Sequence, residues 1–276
     1  RQYPAINQTP PSSMTPASWT AAYEAAKARG AIPGYPVAAP GGTGQYPQGT
    51  NVGQVCSWTA TKCFGHDDIY EAPANEWAVS FDDGPTQQSE GLYRFLASQN
   101  QTSTSFMIGS QVLDFPNALQ VAKQSNIQMA LHTWSHTPLC GLTDEQIVAE
   151  LGWNMQIVMD ETGLLPALYR PPQGDVDDRV RAIAREVFGL RAVMWAYDSN
   201  DWCLNGQGGS ACPGQVPGQD KQSVVDYIYQ TIYKKDRSQG VIILEHELTT
   251  DSVGIFESYY PTLKTAGWQP HCIAEL

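Results

Sequence analysis

Residues 76–85 read EWAVSFDDGP. Trp77 to Phe81 is strand-like, and it stops abruptly at two adjacent carboxylates, Asp82 and Asp83, before the turn residues Gly84 and Pro85. Other short apolar runs lie at 104–108 (TSFMI), 128–132 (QMALH), 191–198 (RAVMWAYD), 240–246 (GVIILEH) and 271–274 (HCIA). Helical periods separate them. In TDEQIVAELGWNMQIVMDETG, Ile147, Leu151, Met155 and Val158 share a face, and Thr143 with Gln146 spells a capping box. In QSVVDYIYQTIYKK, Val224, Val225, Ile228 and Ile232 form another face. Alternating strands and helices imply an α/β fold with a parallel sheet, open or closed into a barrel.

Residues 1–70 have a different texture. They are rich in Pro, Gly, Thr and Gln, and only SWTAAYEAAKARG (18–30) is helical in pattern. The expectation is an N-terminal extension over 1–70, ordered by packing on a catalytic domain over 71–276.

Polar residues gather where the apolar runs end. After Asp82 and Asp83 come His132 and His136 in HTWSH, Arg170 in RPPQG, Asp198 and Asp201 in DSNDW, and His246 in LEH. In parallel α/β folds, functional groups collect at the carboxyl ends of strands. Each piece has a plainer reading: a turn at 82–85, surface histidines at 132 and 136, a buried ion pair at Arg170, a helix cap at Asp201, a core histidine at 246. Together they read otherwise. A helical turn would bring His132 and His136 onto one side, and two imidazoles plus a carboxylate make a metal site with open positions.

Composition narrows the partners. Lys+Arg is 16 against Asp+Glu 28, a net charge of -12. Such a surface repels phosphate backbones and anionic membranes, so nucleic acid is excluded as the expected partner. No apolar run is long enough for a transmembrane helix. Six cysteines with no CxxC pair are compatible with three disulfides. Cys203 and Cys212 are expected to bridge a Gly-rich loop, and Cys56 or Cys63 to reach Cys140 or Cys272, strapping the extension down. Sequons at Asn7 and Asn100 suggest glycosylation and a secreted or cell-wall protein. The start reads as a mature form whose signal is gone. A lipid anchor on a precursor would not be visible here.

The ordered set SFDDGP, HTWSH, RPPQG, DSNDW and LEH resembles the five motifs of the polysaccharide deacetylases (NodB-like, carbohydrate esterase family four), over about residues 76–270. CSWTATKCFGHDDIY and the long extension resemble fungal chitin deacetylases. The resemblance implies a distorted, incomplete (β/α) barrel. It implies Asp83, His132 and His136 as ligands of zinc, with cobalt or another divalent ion as alternative. It implies Asp82 as general base, Arg170 orienting Asp82, and His246 as general acid held by Asp201, with Asp198 as the rival partner. The Gln173 N–H would stabilise the oxyanion, and Trp202 and Leu244 would wall the acetyl methyl pocket. Two positions depart from the usual motifs. Ser80 replaces Thr, and Gln173 stands where most members carry Tyr or Phe, which bears on substrate preference.

The function implied is metal-dependent removal of N-acetyl groups from chitin or its oligosaccharides by a monomer. The alternatives are the same fold acting on another cell-wall or glucosamine glycan, and a non-catalytic chitin- or chitosan-binding protein. Adjacent Asp82 and Asp83 argue against a glycoside hydrolase, whose carboxylates flank the sugar from opposite sides. Trp134 is read either as a sugar-stacking platform or as core.

Overall fold

The computed structural model describes residues 2–206 and 220–276, with the side chains of residues 205 and 206 outside the description. In chain order come helices α1 (Ala17–Ala28), α2 (Val52–Val55) and α3 (Trp58–Thr61), then strands β1 (Glu76–Ala78) and β2 (Ser80–Gly84). Next are α4 (Ser89–Ser98), β3 (Thr104–Met107), α5 (Gly109–Asp114), α6 (Pro116–Gln124), β4 (Gln128–Leu131) and α7 (Asp144–Thr162). The chain continues through β5 (Leu168–Tyr169), α8 (Asp178–Phe188), β6 (Arg191–Ala192), β7 (Tyr197–Asp198), α9 (Lys221–Tyr227), β8 (Val241–Leu244), α10 (Thr250–Leu263) and β9 (Gln269–His271). Strand order is β7-β8-β1-β9 in one sheet and β2-β3-β4-β5-β6 in the other. The pairings β1–β8, β1–β9, β4–β5, β5–β6 and β7–β8 are all parallel. Strands β2, β3 and β8 are buried at every residue, but only β8 (VIIL) is apolar throughout; β2 (SFDDG) buries two carboxylates.

The chain divides into two compact units. The first comprises residues 1–69, 107–114 and 130–194. Here α7 carries the capping box read from Thr143 and Gln146 and ends at Gly163 with φ 76°. The N-terminal segment is fastened by large side chains. Trp19 meets Trp153 at 5.4 Å and Phe188 at 5.8 Å edge-on. A Cβ at position 152 would stand 2.5 Å from the Trp19 ring, so Gly152 is the notch that admits it. Arg181, buried, donates to both oxygens of Asp68 and to the carbonyls of Cys56 and Cys63.

Cys56 and Cys63 are bonded to each other, not to Cys140 or Cys272 as expected. The reason is local. Cys56 caps α2 at φ 52° and Lys62 caps α3 at φ 55°, and these reversals bring the two Cα atoms to 5.0 Å. Cys140 and Cys272 are buried free thiols, so the expectation that all six cysteines are oxidised is also corrected. Cys203 is disulfide-bonded; Cys212 lies outside the described residues.

The second unit comprises residues 70–106, 115–129 and 195–276. Its core is aromatic: Trp77 lies 5.4 Å from Trp268 and 5.7 Å from Tyr259, and Phe81 lies 4.9 Å from Phe256. The run at 191–198, read as one strand, is two. β6 pairs with β5 while β7 pairs with β8, and the chain between them leaves one sheet for the other. Among the described residues, no helix is long and apolar enough to cross a membrane.

Candidate active site

In the second unit, two neighbouring strand ends bring Asp82 and His246 together. Asp82 donates its N–H to the Glu245 carbonyl at 2.9 Å, and its own carbonyl accepts from the Glu247 N–H at 3.1 Å. These two bonds extend the strand pairing by one bridge and set Asp82 opposite His246. Asp82 is 2 % exposed. Asp83, near the end of β2, sits at φ 69°, a positive φ that is uncommon for a residue with a side chain.

His246 follows β8 and is held twice by one carboxylate. Asp201 Oδ1 lies 2.7 Å from the ring Nδ1, and Asp201 Oδ2 accepts from the His246 backbone N–H at 2.7 Å. Burial opposes charging of the ring, but the charge and hydrogen bond of Asp201, with the charges of Asp83 and Asp82, push its pKa up to about 10. Asp198, the other candidate partner, is engaged elsewhere: it accepts from the Asn200 N–H at 2.8 Å and the Trp202 Nε1–H at 3.3 Å. Trp202 is half-buried and Leu244 buried.

In the first unit, His132 follows β4 and donates through Nδ1 to the Arg170 carbonyl at 2.7 Å. A carbonyl only accepts, so this bond puts the proton on Nδ1 and leaves the Nε2 lone pair for a metal ion. The stretch 132–136 is not a helical turn, contrary to expectation. Thr133 at φ 66° and His136 at φ 62° break it, and the two imidazoles reach a ring separation of 4.9 Å through a loop. That loop is pinned from below. Asn154 Nδ2 donates to the Thr133 carbonyl at 2.7 Å, and the buried Glu150 accepts from the Ser135 N–H at 2.9 Å. Trp134 is wholly buried, its Nε1–H on the Ala5 carbonyl at 3.0 Å and its ring stacked on Tyr3, so it is core and not a sugar platform. Arg170 is fully buried, and its Nε–H donates to the Val193 carbonyl at 3.3 Å. Gln173 is exposed, at φ 56°.

His132 and His136 belong to the first unit and Asp83 to the second; the paired imidazoles offer two nitrogen ligands to a metal ion. Imidazoles suit a borderline ion such as zinc, and the Nδ1 anchor of His132 is the outer-shell bond that metal-ligating histidines make.

Residues 70–193 match the polysaccharide deacetylase family. The chain is 40 % identical to chitin deacetylase 3 of Cryptococcus neoformans over 99 % of its own length and 65 % of that protein's. Residues 70–193 are a polysaccharide deacetylase domain. A chitin deacetylase of Amylomyces rouxii is 36 % identical over 71 % of the chain and 46 % of its own length. The chain thus spans less than two thirds of these relatives. The peptidoglycan deacetylase PdaC of Bacillus subtilis, at 22 % identity, has the same fold over 73 % of this chain and 89 % of its own, with a TM-score of 0.59. Deacetylases of this family are metalloenzymes with a (β/α)-barrel-like fold.

The chain contains buried acids near these residues that the motif reading missed. Glu150 pins the histidine loop, and Glu245 and Glu247 flank His246. The LEHE string, with an acid on either side of a strand-end histidine, was the available signal for Glu245 and Glu247.

Proposed function

We propose that the chain hydrolyses N-acetyl groups of β-1,4-linked N-acetylglucosamine polymers, converting chitin into chitosan and acetate. The observation that carries this reading is the juxtaposition of Asp82 and His246 at neighbouring strand ends, with His246 tied to Asp201. A buried carboxylate and a buried imidazolium are the base and acid that amide hydrolysis needs. The identity to proteins named chitin deacetylases supports the substrate.

In this reading Asp82 accepts the proton of the attacking water, and the guanidinium of Arg170 orients Asp82. The water oxygen adds to the acetyl carbonyl, and the Gln173 N–H donates to the resulting oxyanion. The C–N bond then breaks, and His246 delivers a proton from Nε2 to the departing amine. Trp202 and Leu244 wall the methyl pocket. In this reading Asp83, His132 and His136 would hold a divalent ion, zinc, with cobalt as a competent substitute. When bound, the ion polarises the acetyl carbonyl and eases ionisation of the attacking water.

The same reading places the protein outside the cell, at the wall. Asn7 and Asn100 are both exposed, as glycosylation requires. One observation favours a second substrate, another cell-wall glycan: Gln173 stands exposed where the family motif has an aromatic ring. Acetate release from chitin oligomers of several lengths, set beside peptidoglycan fragments and repeated with chelator, tests both. Absence of acetate from every glycan, with metal supplied, would overturn the reading.

A further inference from the structure

Glu245 and Glu247 flank His246, and both are buried. Glu245 has a partner outside the site, since the Tyr259 hydroxyl lies 2.7 Å from each of its oxygens. Glu247 is directed at the other strand end. Its N–H donates to the Asp82 carbonyl at 3.1 Å, and its carbonyl accepts from the Thr86 hydroxyl at 2.5 Å. Its carboxylate accepts from the Ser105 hydroxyl, which in turn contacts the Tyr93 hydroxyl at 3.1 Å.

The carboxylate also lies directly against Gly84. A Cβ at position 84 would stand 2.1 Å from Glu247 Oε1 and 2.4 Å from its Cδ. Gly84 is not among the residues with positive φ, so backbone conformation does not demand glycine there; the space is already filled by Glu247. The residue after His246 is therefore wedged beneath the residue after Asp83. Between them, Asp83 holds its unfavourable φ of 69°. A backbone in that region needs support from outside itself.

We propose that Glu247 is a positioning residue: its buried carboxylate, wedged under Gly84, sets the backbone of the Asp82-Asp83-Gly84 turn and couples its placement to that of His246. It touches neither substrate nor metal. The inference rests on Asp82 and His246 acting as base and acid, and it adds a device that keeps them in register. A misplacement of about 1 Å can cost on the order of 10²-fold in rate, so such a brace has a measurable effect.

The experiment is a double-mutant cycle of Gly84→Ala, Glu247→Asp and the combination. Acetate release from chitin oligomers is measured at saturating zinc, with thermal unfolding and zinc affinity of each protein. The alanine methyl collides with the carboxylate, and the aspartate withdraws it by one methylene. Each single variant should lower kcat by roughly 10- to 100-fold with little change in KM. The double variant should be faster than Gly84→Ala alone, because the shorter acid makes room for the methyl. Zinc affinity should fall in Gly84→Ala and recover in the double variant, a readout independent of turnover.

Losses that simply multiply, with no rescue in rate or zinc affinity, overturn the proposal. If Gly84→Ala does not fold, Glu247→Asp with native unfolding temperature and native kcat overturns it, and native stability with reduced kcat supports it. A wild-type protein that releases no acetate defeats the functional reading, while the rescue in zinc affinity still decides whether Glu247 braces the turn.

Discussion

One carboxylate, Asp201, grips His246 at two points: Oδ1 on the ring Nδ1 and Oδ2 on the backbone N–H, each at 2.7 Å. The ring nitrogen is thereby oriented and its charge favoured by the same residue. Asp201→Asn removes the charge and keeps the shape. Burial, which disfavours the imidazolium, then acts with less opposition, so the ring loses its proton at lower pH. The proposed reaction needs the acid form, so the alkaline limb of the kcat profile should move toward neutral pH. Acetate release measured from pH 6 to 10 checks this, and an unmoved limb would remove His246 from the role of acid.

Asp82 and Asp83 are chain neighbours with different backbone conformations, Asp83 being the one at φ 69°. Asp82→Asn should retain zinc and oligomer binding while turnover falls by roughly 10²–10⁴-fold, the span for losing a general base. Asp83→Asn should lose zinc affinity as well. Metal content, oligomer affinity and rate separate the two, and equal zinc loss in both would make both carboxylates ligands.

Chelation should abolish acetate release, and zinc or cobalt should restore it. His132→Ala and His136→Ala should lose metal and activity together. The loop that carries them is pinned by Asn154, whose amide donates to the Met107 carbonyl at 2.8 Å and the Thr133 carbonyl at 2.7 Å. Asn154→Ala should therefore weaken zinc affinity by roughly 10- to 100-fold, the usual cost of losing an outer-shell partner. Isothermal titration with zinc measures it, and unchanged affinity would show that the loop holds its shape without Asn154.

Glu245 provides a stability signature. Burial pushes its carboxyl up to about 8, against an ordinary value of 4.5. Between those two values the folded chain holds a proton that the unfolded chain has released. Unfolding free energy therefore falls as pH rises through that window, with the full penalty above about 8. Glu245→Gln, neutral at every pH, should flatten this slope. Denaturant unfolding at pH 5, 7 and 9 reads it, and an unaltered slope in the variant would assign the dependence to other groups.

Thiol titration of the unfolded, unreduced protein should find Cys140 and Cys272 reactive and Cys56 and Cys63 protected. Peptide mapping of the labelled residues distinguishes this from bridges that join the N-terminal segment to Cys140 or Cys272.

Much of the strand and helix pattern was legible in the chain because buried parallel strands favour apolar residues and helices need a 3.6-residue period, but the runs at 77–81 and 191–198 are each divided between two strands of different sheets. The capping box at Thr143 and Gln146 reads the same in the sequence and in the fold, since its partners are three residues apart. The placement of Asp82, His132, Arg170 and His246 at or just past strand ends was legible for a related reason: strand ends stand out where apolar runs stop. Whatever depends on contacts between distant segments was not legible. The loop around His132 and His136 takes its shape from left-handed residues and from Asn154 and Glu150, so helical spacing was the wrong guide. Trp134 is core because Tyr3 and Ala5 cover it from more than a hundred residues away. The preference of Cys56 for Cys63 follows from two left-handed caps, which a residue count does not reveal. Glu247 under Gly84 is of the same kind. A glycine in a turn and an acid after a histidine look ordinary apart, and only the pairing of two strand ends brings them together.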